Sequence, residues 1–234
     1  MIVRPIHTRV FKEGEDLLAF ITKYIPRLKE GSVLVVTSKI AALSEHRTSA
    51  RGDARAKEKL IRAESEWARP TKYVWLTVKD GMMMPNAGVD ESNGNGKIIL
   101  LPRDSFKAAE TIRTALKKQF KLKRLGVIVT DSRTLPLRAG VVGVALGYAG
   151  FSGVRDYRGK PDIFGRKLVM TMTDVADALA SAAVLEMGEG KERRPLAIIE
   201  GAPVEFREKI TRNELRIALA DDMYRPLFKR FSKK

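Results

Sequence analysis

The chain has 234 residues, of which 44% are hydrophobic and 31% are charged, a composition typical of a globular protein with a sizeable core. It contains no cysteine and only two histidines, which excludes disulfides, thiolate zinc sites, iron–sulfur clusters, a cysteine nucleophile and a histidine-rich metal site. A bound metal would therefore be a hard cation held by oxygen ligands, such as magnesium or manganese.

The formal net charge is +16, which fits a nucleic-acid binder or an enzyme that handles phosphates and carboxylates. The basic residues are dispersed over Arg51–Arg62, Lys117–Arg124, Lys191–Arg194 and Lys229–Lys234. Solvated helix faces explain most of them, and no RNA-binding aromatic signature or zinc finger supports nucleic-acid binding. Without a signal peptide or an apolar run of roughly 20 residues, we expect a cytoplasmic protein that does not span a membrane.

The first elements are predicted from apolar patterning. Ile2–Ile6 reads as a strand, and a helix beginning near Glu13–Asp16 carries an apolar stripe through Ile25. Ser32–Thr37 is predicted to be a buried strand because its β-branched run is continuous. Arg51–Trp67 is predicted to be helical.

The middle of the chain continues the mixture of strands and helices. Tyr73–Val78, Lys97–Leu101 and Leu125–Thr130 are predicted strands, the last of them central, and Ser105–Phe120 is a predicted amphipathic helix. Glycine then becomes dense between Gly140 and Gly165, where no long helix fits.

In the last third, Lys167–Thr173 is a predicted strand, and Asp174 or Thr173 is the predicted N-cap of a helix ending at Met187–Gly188. Leu196–Ile199 is a predicted strand, and the C-terminus is predicted to be helical. This order lacks a clean βαβ rhythm, so we expect a mixed α/β (α+β) fold rather than a doubly wound Rossmann fold. Residues 1–234 would form one domain, or two closely packed lobes.

Polar residues follow two of the apolar strands. Lys39 comes directly after the strand Ser32–Thr37, where it could meet a phosphate or simply end the strand. Asp131 and Ser132 follow the strand Leu125–Thr130, and a carboxylate beside a hydroxyl is a common magnesium–phosphate arrangement. Arg138, a few residues later, is suited to a carboxylate or phosphate.

Three further segments have a bland and a functional interpretation. The loop 86–96 contains Asp90 and Glu91, which could form a polar turn or ligate a hard cation. The glycines of 140–153 could let the backbone approach a ligand or permit tight packing. The run 187–195, with Glu189, would ordinarily be a solvated helix end.

Five motifs occur in an order that resembles a known family. They are VVTSKIAALSEHR, AGVDESN, VIVTDSRTLPLRAGVVGVALGYAGF, DYRGKPDIFGRKL and DVADALASAAVLEMGEGKERRPLAII, which span most of the chain from Ile2 to Ile199. The sequence resembles the coenzyme F-420 γ-glutamyl ligases, and especially the bacterial members described as folate-metabolism γ-glutamate ligases. The resemblance implies a family-specific mixed α/β fold of two interleaved lobes, an intertwined homodimer, and use of GTP with Mg²⁺ or Mn²⁺.

The resemblance also implies roles for individual residues. Asp90 and Asp131 would be metal ligands, and Ser132 stands where a hydroxyl contributes to the metal site. Lys39 and Asn93 would contact the nucleotide. Glu189 would join them from the segment 187–192, which is expected to close over the nucleotide.

The implied reaction phosphorylates a substrate carboxylate with GTP and then joins the acyl phosphate to the amino group of L-glutamate, with Arg138 as a further phosphate or substrate contact. The anionic acceptor would be a coenzyme F-420 precursor, or a folate or other carboxylate. No residue is assigned as the catalytic acid or base. His46 departs from the family, which usually has glycine there. The alternative of another class, a basic nucleic-acid-binding protein without catalysis, predicts salt-sensitive binding that survives Asp131→Ala.

Overall fold

The computed structural model describes residues 1–228, and the basic segment 229–234 lies outside the described residues. The described residues form twelve strands and six α-helices. The strands are β1 (Ile2–Ile6), β2 (Ser32–Thr37), β3 (Thr48–Ala50), β4 (Trp67–Pro70), β5 (Trp75–Lys79), β6 (Met82–Pro85), β7 (Lys97–Ile99), β8 (Leu125–Arg133), β9 (Val142–Ala149), β10 (Val154–Asp156), β11 (Met172–Asp174) and β12 (Leu196–Glu200). The helices are α1 (Leu17–Tyr24), α2 (Ser38–Ser44), α3 (Ala54–Ala63), α4 (Ser105–Phe120), α5 (Val175–Met187) and α6 (Arg225–Phe228).

The main sheet has five strands in the order β1-β12-β2-β8-β9. Strand β2 lies in the middle, parallel to β8 and antiparallel to β12. Its apolar run is buried on both faces, as a continuous β-branched segment predicts. Strand β8 is an interior strand rather than the central one, and it continues to Arg133, three residues beyond the predicted end.

Helices cover both faces of this sheet. Leu34 and Val36 point toward α1 and α4, in a core cluster with Phe20 and Leu116. On the opposite face, Val33 and its neighbour Val35 join the buried side chains of α5. The mixed α/β class expected from the sequence is therefore confirmed, with a layer of helix on each side of the sheet.

A bulge in strand β9 changes which of its residues point to each side of the sheet. The register shifts between Val129 and Thr130 of β8, so that Leu146 of β9 has no partner in the ladder. Before this bulge, Gly143 faces α5, and an added Cβ would collide with the Ala180 carbonyl. After it, Gly147 lies against the first turn of α4 in the same way. At these two positions the glycines permit tight packing of helices, which decides between the two interpretations of this segment.

A peripheral region follows β2. Helix α3, begun by the Asp53 side chain that accepts the Ala56 N–H at 2.8 Å, is shorter than the predicted helix over 51–67. The error arises because Trp67 starts strand β4 and pairs with Val78 of β5, so tertiary pairing overrides the local helical pattern. The predicted strand 73–78 is shifted, and β5 begins at Trp75.

Two predictions in the last third were wrong. Only Met172 and Thr173 of the predicted strand 167–173 are extended, in β11, because the preceding segment is an exposed loop. Residues 201–224 form turns and irregular structure, so the described C-terminal region is helical only in α6. The predicted cap was right: Asp174 accepts the Asp177 N–H at 2.9 Å and begins α5.

No α-helix within residues 1–228 is long and apolar enough to cross a membrane.

Candidate active site

Lys39 sits where the central strand ends. Thr37 is the last residue of β2, and α2 begins directly at Ser38, so that Lys39 lies in the first turn of a helix that the sequence did not predict. Its ammonium is 2.6 Å from Asp90 Oδ2 and 2.7 Å from the Ser92 hydroxyl. The lysine therefore connects the main sheet to the loop 86–96.

The loop around Asp90 is a polar turn that also presents a carboxylate. Ser92 donates its N–H to Asp90 Oδ1 and its hydroxyl to Asp90 Oδ2, both at 2.7 Å. Burial opposes ionisation of Asp90, but the Lys39 ammonium and the Ser92 donors outweigh it and lower the pKa of this carboxyl. Glu91 points elsewhere and pairs with Lys57, at 2.5 Å. The two adjacent carboxylates therefore pair with different lysines.

Asp131 is brought to the same edge by strand pairing. Strands β2 and β8 are parallel, with Thr37 opposite Thr130, so the residues after these two positions lie side by side. Asp131 is half-buried within β8, where the sequence analysis expected it just beyond the strand.

Burial raises the pKa of Asp131 to about 6, and the carboxylates of Asp90 and Glu189 add to the rise. The Ser132 N–H, which Asp131 Oδ1 accepts at 2.9 Å, and the Lys39 ammonium act in the opposite direction. Negative charge from three segments distant in sequence therefore converges on Asp131.

Glu189 reaches this position from the segment after α5. Burial raises its pKa, opposed by the side chain of Ser132 and by Lys39. The segment is tied to the N-terminal region and to β2, because Thr8 N–H donates to the Arg193 carbonyl at 2.9 Å and Thr37 N–H to that of Pro195 at 3.0 Å. The charge run at 187–195 is therefore part of the site and not a free helix end.

Asn93 meets the same segment from the opposite side. Its side-chain amide lies 3.5 Å from the Gly190 carbonyl oxygen, and Glu192 accepts the Gly190 N–H at 2.7 Å. The loop 86–96 and the segment 188–195 therefore face each other across one opening.

A cavity of about 660 Å³ occupies this opening. Its walls include Lys39, Asn93, Asp131, Ser132 and Glu189, while Asp90 lies behind Lys39. Five basic and three acidic side chains line it, which gives a net positive wall around the acidic centre. Arg9, Arg193 and Arg194 were not predicted to belong to a site, whereas Lys191 lies in the segment 187–192 that the resemblance expects over the nucleotide.

Two other predicted positions lie away from the cavity. Arg138 is exposed in the turn between β8 and β9 and is not in the wall. His46 has a φ of 54°, in the left-handed region that glycine adopts most easily. The backbone at His46 thus has the conformation that the glycine found there in the resembled family would favour.

The donor set fits a hard cation. Asp90, Asp131, Ser132 and Glu189 offer only oxygen atoms, and the Lys39 ammonium already supplies positive charge beside the carboxylates. Within residues 1–228, no three His, Asp or Glu side chains are close enough to form a complete metal-binding group. A cation here would therefore need further ligands from water or from a bound phosphate.

Comparisons with known proteins agree on one family. The protein-family model described as F420-0:Gamma-glutamyl ligase matches residues 5–201 of this chain. The Coenzyme F420:L-glutamate ligase of Methanococcus maripaludis is 32% identical over an alignment that covers 91% of this chain and 92% of that protein. The protein of the same name from Methanopyrus kandleri is 35% identical over 86% of each chain, and that of Archaeoglobus fulgidus is 32% identical over 83% of this chain and 85% of its own.

Proposed function

We propose a reaction for this chain on the premise that it belongs to the F420-0:gamma-glutamyl ligase family. It is an enzyme, a ligase that forms a carbon–nitrogen bond between an acid and an amino acid. The proposed amino acid is L-glutamate, the proposed acceptor is the carboxylate of a coenzyme F420 precursor, and the proposed energy source is GTP. The substrates come from the names of the relatives and from the motif resemblance.

The observation that best supports a nucleotide is the net positive wall of the cavity lined by Lys39 and Asp131, called the first cavity below. Its volume of about 660 Å³ is in the range of small-molecule sites, and its wall carries more basic than acidic side chains. A triphosphate needs such positive charge around its oxygens. In the proposal Lys39 and Asn93 contact the nucleotide, and Glu189 belongs to the segment that covers it.

Asp90 and Asp131, with the Ser132 hydroxyl, would hold Mg²⁺ or Mn²⁺. When bound, such an ion offsets the negative charge of phosphate oxygens and so reduces their repulsion of an anionic nucleophile. This role fits the raised pKa of Asp131, because a partly desolvated carboxylate gains most from a nearby cation.

The proposed chemistry has two displacements. An oxygen of the acceptor carboxylate bonds to the γ-phosphorus of GTP while the bond to the β-phosphate oxygen breaks, which releases GDP. The glutamate ammonium first loses one proton to become the free amine. Its nitrogen then bonds to the acyl carbon while the carbon–oxygen bond to phosphate breaks, which releases inorganic phosphate, and the nitrogen loses a second proton to water. Lys39 and the basic wall neutralise the phosphates during the first step, and Arg138 is proposed as a further contact for an anionic substrate.

A homodimer is part of the proposal. The hairpin between β10 and β11 exposes large apolar side chains, which a second copy of the chain would cover: Ile163, Phe164, Val169 and Met170. The resemblance implies an intertwined dimer, and this hairpin is the surface in the described chain that fits it best.

The experiment that tests the function is an assay of GDP release with Mn²⁺ or Mg²⁺, L-glutamate and a series of acceptors. Release should require the metal, glutamate and one acceptor together, and Asp131→Asn should abolish it while the circular dichroism spectrum is unchanged. Turnover with a folate in place of the F420 precursor would select the alternative acceptor. Absence of glutamate-dependent turnover with every acceptor, combined with salt-sensitive RNA binding that survives Asp131→Ala, would favour the nucleic-acid alternative.

A further inference from the structure

A second cavity is lined by Arg133, the last residue of β8. Its volume is about 560 Å³, and five further segments complete its wall: 80–83, 103–106, 145–146, 174–177 and 212–222. Asp131 and Ser132 line the first cavity, whereas Arg133 lines the second. Since Asp131 and Arg133 are two residues apart on one strand, their Cα atoms are about 7 Å apart.

The basic residues of this cavity differ in whether they already have partners. Arg212 is paired with Asp104 at 2.8 Å, and Arg216 donates to the Asp80 carbonyl at 2.7 Å. Arg133 makes no hydrogen bond to a carboxylate: its Nε is buried without a hydrogen bond, and one terminal nitrogen contacts only the Met82 sulfur at 3.3 Å. The carboxylates of Asp177 and Asp131 attract its charge without forming an ion pair with it. Buried guanidinium donors that lack acceptors are costly, which points to a ligand that supplies them.

A second guanidinium in the wall is also free. Within residues 1–228, the Arg103 side chain makes no hydrogen bond or ion pair, although its backbone N–H donates to Glu45 at 2.8 Å. Together Arg103 and Arg133 can hold a carboxylate with two or more charge-assisted hydrogen bonds.

The acidic side of the cavity is formed at the start of α5. It consists of Asp174 and Asp177. Asp174 accepts the Asp177 N–H at 2.9 Å, and Asp177 accepts the Ala145 N–H at 2.8 Å. Burial, together with the charge of Asp177, raises the pKa of Asp174 to about 6. The side chains of Asp174 and Asp177 also hydrogen-bond each other, and the charge of Arg133 attracts Asp177. Within residues 1–228 neither carboxylate forms an ion pair, so negative charge remains available to a cation.

We propose that the second cavity binds the amino-acid substrate, with its α-carboxylate at Arg103 and Arg133 and its ammonium at Asp174 and Asp177. These two arginines and two aspartates form no ion pairs within residues 1–228, so the cavity offers charge of both signs, which suits a zwitterion and disfavours a purely anionic phosphate. The assignment of this amino acid as L-glutamate rests on the proposed function. The position beside Asp131 puts the amine near the cavity in which the carboxylate is activated.

The test is calorimetric titration of L-glutamate into the full-length protein, without nucleotide, supported by the KM for glutamate in turnover. Arg133→Met should weaken glutamate binding at least tenfold and leave the affinity for GTP unchanged. Asp177→Asn keeps the oxygen that accepts the Ala145 N–H and removes the negative charge. It should therefore weaken the binding of L-glutamate but not that of glutarate, which lacks the ammonium. If Arg133→Met does not fold, Arg103→Met carries the same test, because this side chain is exposed.

Arg212→Met is the matched control, because this arginine lines the same cavity but is already paired with Asp104. It should change glutamate binding less than twofold. Glutamate Kd and KM within twofold of wild type in Arg133→Met, Arg103→Met and Asp177→Asn would overturn the assignment. Glutamate binding that depends on these residues without any GTP turnover would instead refute the proposed function and leave the amino-acid site standing.

Discussion

The ammonium of Lys39 lies 2.6 Å from Asp90 Oδ2, so one ion pair joins the end of the central strand to a loop about fifty residues later in the chain. Both side chains retain some exposure, and Lys39 lines the first cavity while Asp90 does not. A surface pair of this kind contributes little to folding, which makes binding the better explanation of its position.

The first prediction concerns Lys39. We expect Lys39→Met to lower kcat/KM for GTP by roughly 10²–10³-fold, since it removes a cation proposed to stabilise the transferring phosphate. Lys97→Met is the control, because Lys97 forms an exposed ion pair with Glu13 at 2.5 Å, away from the cavity. Steady-state GDP release measures both variants, and an equal effect of the two would contradict the assigned role.

The second prediction concerns Asp131 and pH. Its folded-state pKa of about 6 lies above the ordinary value of 3.8, so its ionisation opposes folding once the pH rises above the unfolded-state value. The cost grows between about pH 4 and pH 6 and is complete above that range, at up to about 3 kcal/mol. Urea unfolding without divalent metal should therefore show Asp131→Asn to be more stable than wild type at pH 8 and nearly equal at pH 4.

Asp156→Asn is the control for this pH dependence. Arg158 lowers the pKa of Asp156 to about 2, so removing this carboxylate should not stabilise the protein at pH 8. A stabilisation by Asp131→Asn that is the same at pH 4 and pH 8 would show that burial of the charge is not its cause.

The third prediction concerns His46 and Gly14. A Cβ at Gly14, whose φ is +78°, would meet the His46 ring at 2.6 Å. We expect Gly14→Ala to destabilise the wild type by about 1–3 kcal/mol, from backbone strain and the steric conflict together. In a His46→Gly background only the backbone part remains, so the same substitution should cost less. A double-mutant cycle by chemical unfolding measures the difference, and strict additivity would argue against the contact.

The fourth prediction concerns the hairpin between β10 and β11. Ile163 and Phe164 are about 90% exposed, and the proposed dimer would cover them. Light scattering after gel filtration should give a dimer for the wild type and a monomer for the double variant Ile163→Ser with Phe164→Ser. Substituting Tyr73, an equally exposed residue elsewhere, should leave the dimer intact. A wild-type monomer would refute the proposal.

The sequence predicted the elements whose patterns are continuous. Ser32–Thr37 and Ser105–Phe120 were predicted to the residue, because one has a continuous apolar run and the other a sustained helical period. Helix α2 was missed because seven residues directly after a strand give too short a pattern. The predicted strand 167–173 was mostly wrong: the segment contacts residues 157–161 through scattered hydrogen bonds, and regular pairing begins only at Met172.

The candidate site was likewise only partly predictable from the sequence. Lys39 and Asp131 were accessible to sequence reasoning, because parallel strands bring their C-terminal ends to one edge. The second cavity was not, since Arg133, Arg103 and Asp177 come from unrelated segments and their missing partners become visible only in three dimensions. The predicted metal-binding roles of Asp90, Asp131 and Ser132 remain predictions. So do the predicted nucleotide or substrate contacts of Lys39, Asn93, Glu189 and Arg138.

The unpaired Leu146 also constrains how this family can vary in length. Gly143 and Gly147 are four residues apart and would face the same side of a regular strand, so the bulge is what lets each of them meet a different helix. One residue more between them would turn one glycine away from its helix, whereas loss of the bulged residue would leave both in place. We expect relatives to accept insertions in the turn 134–141, which is exposed, much more readily than an insertion within β9.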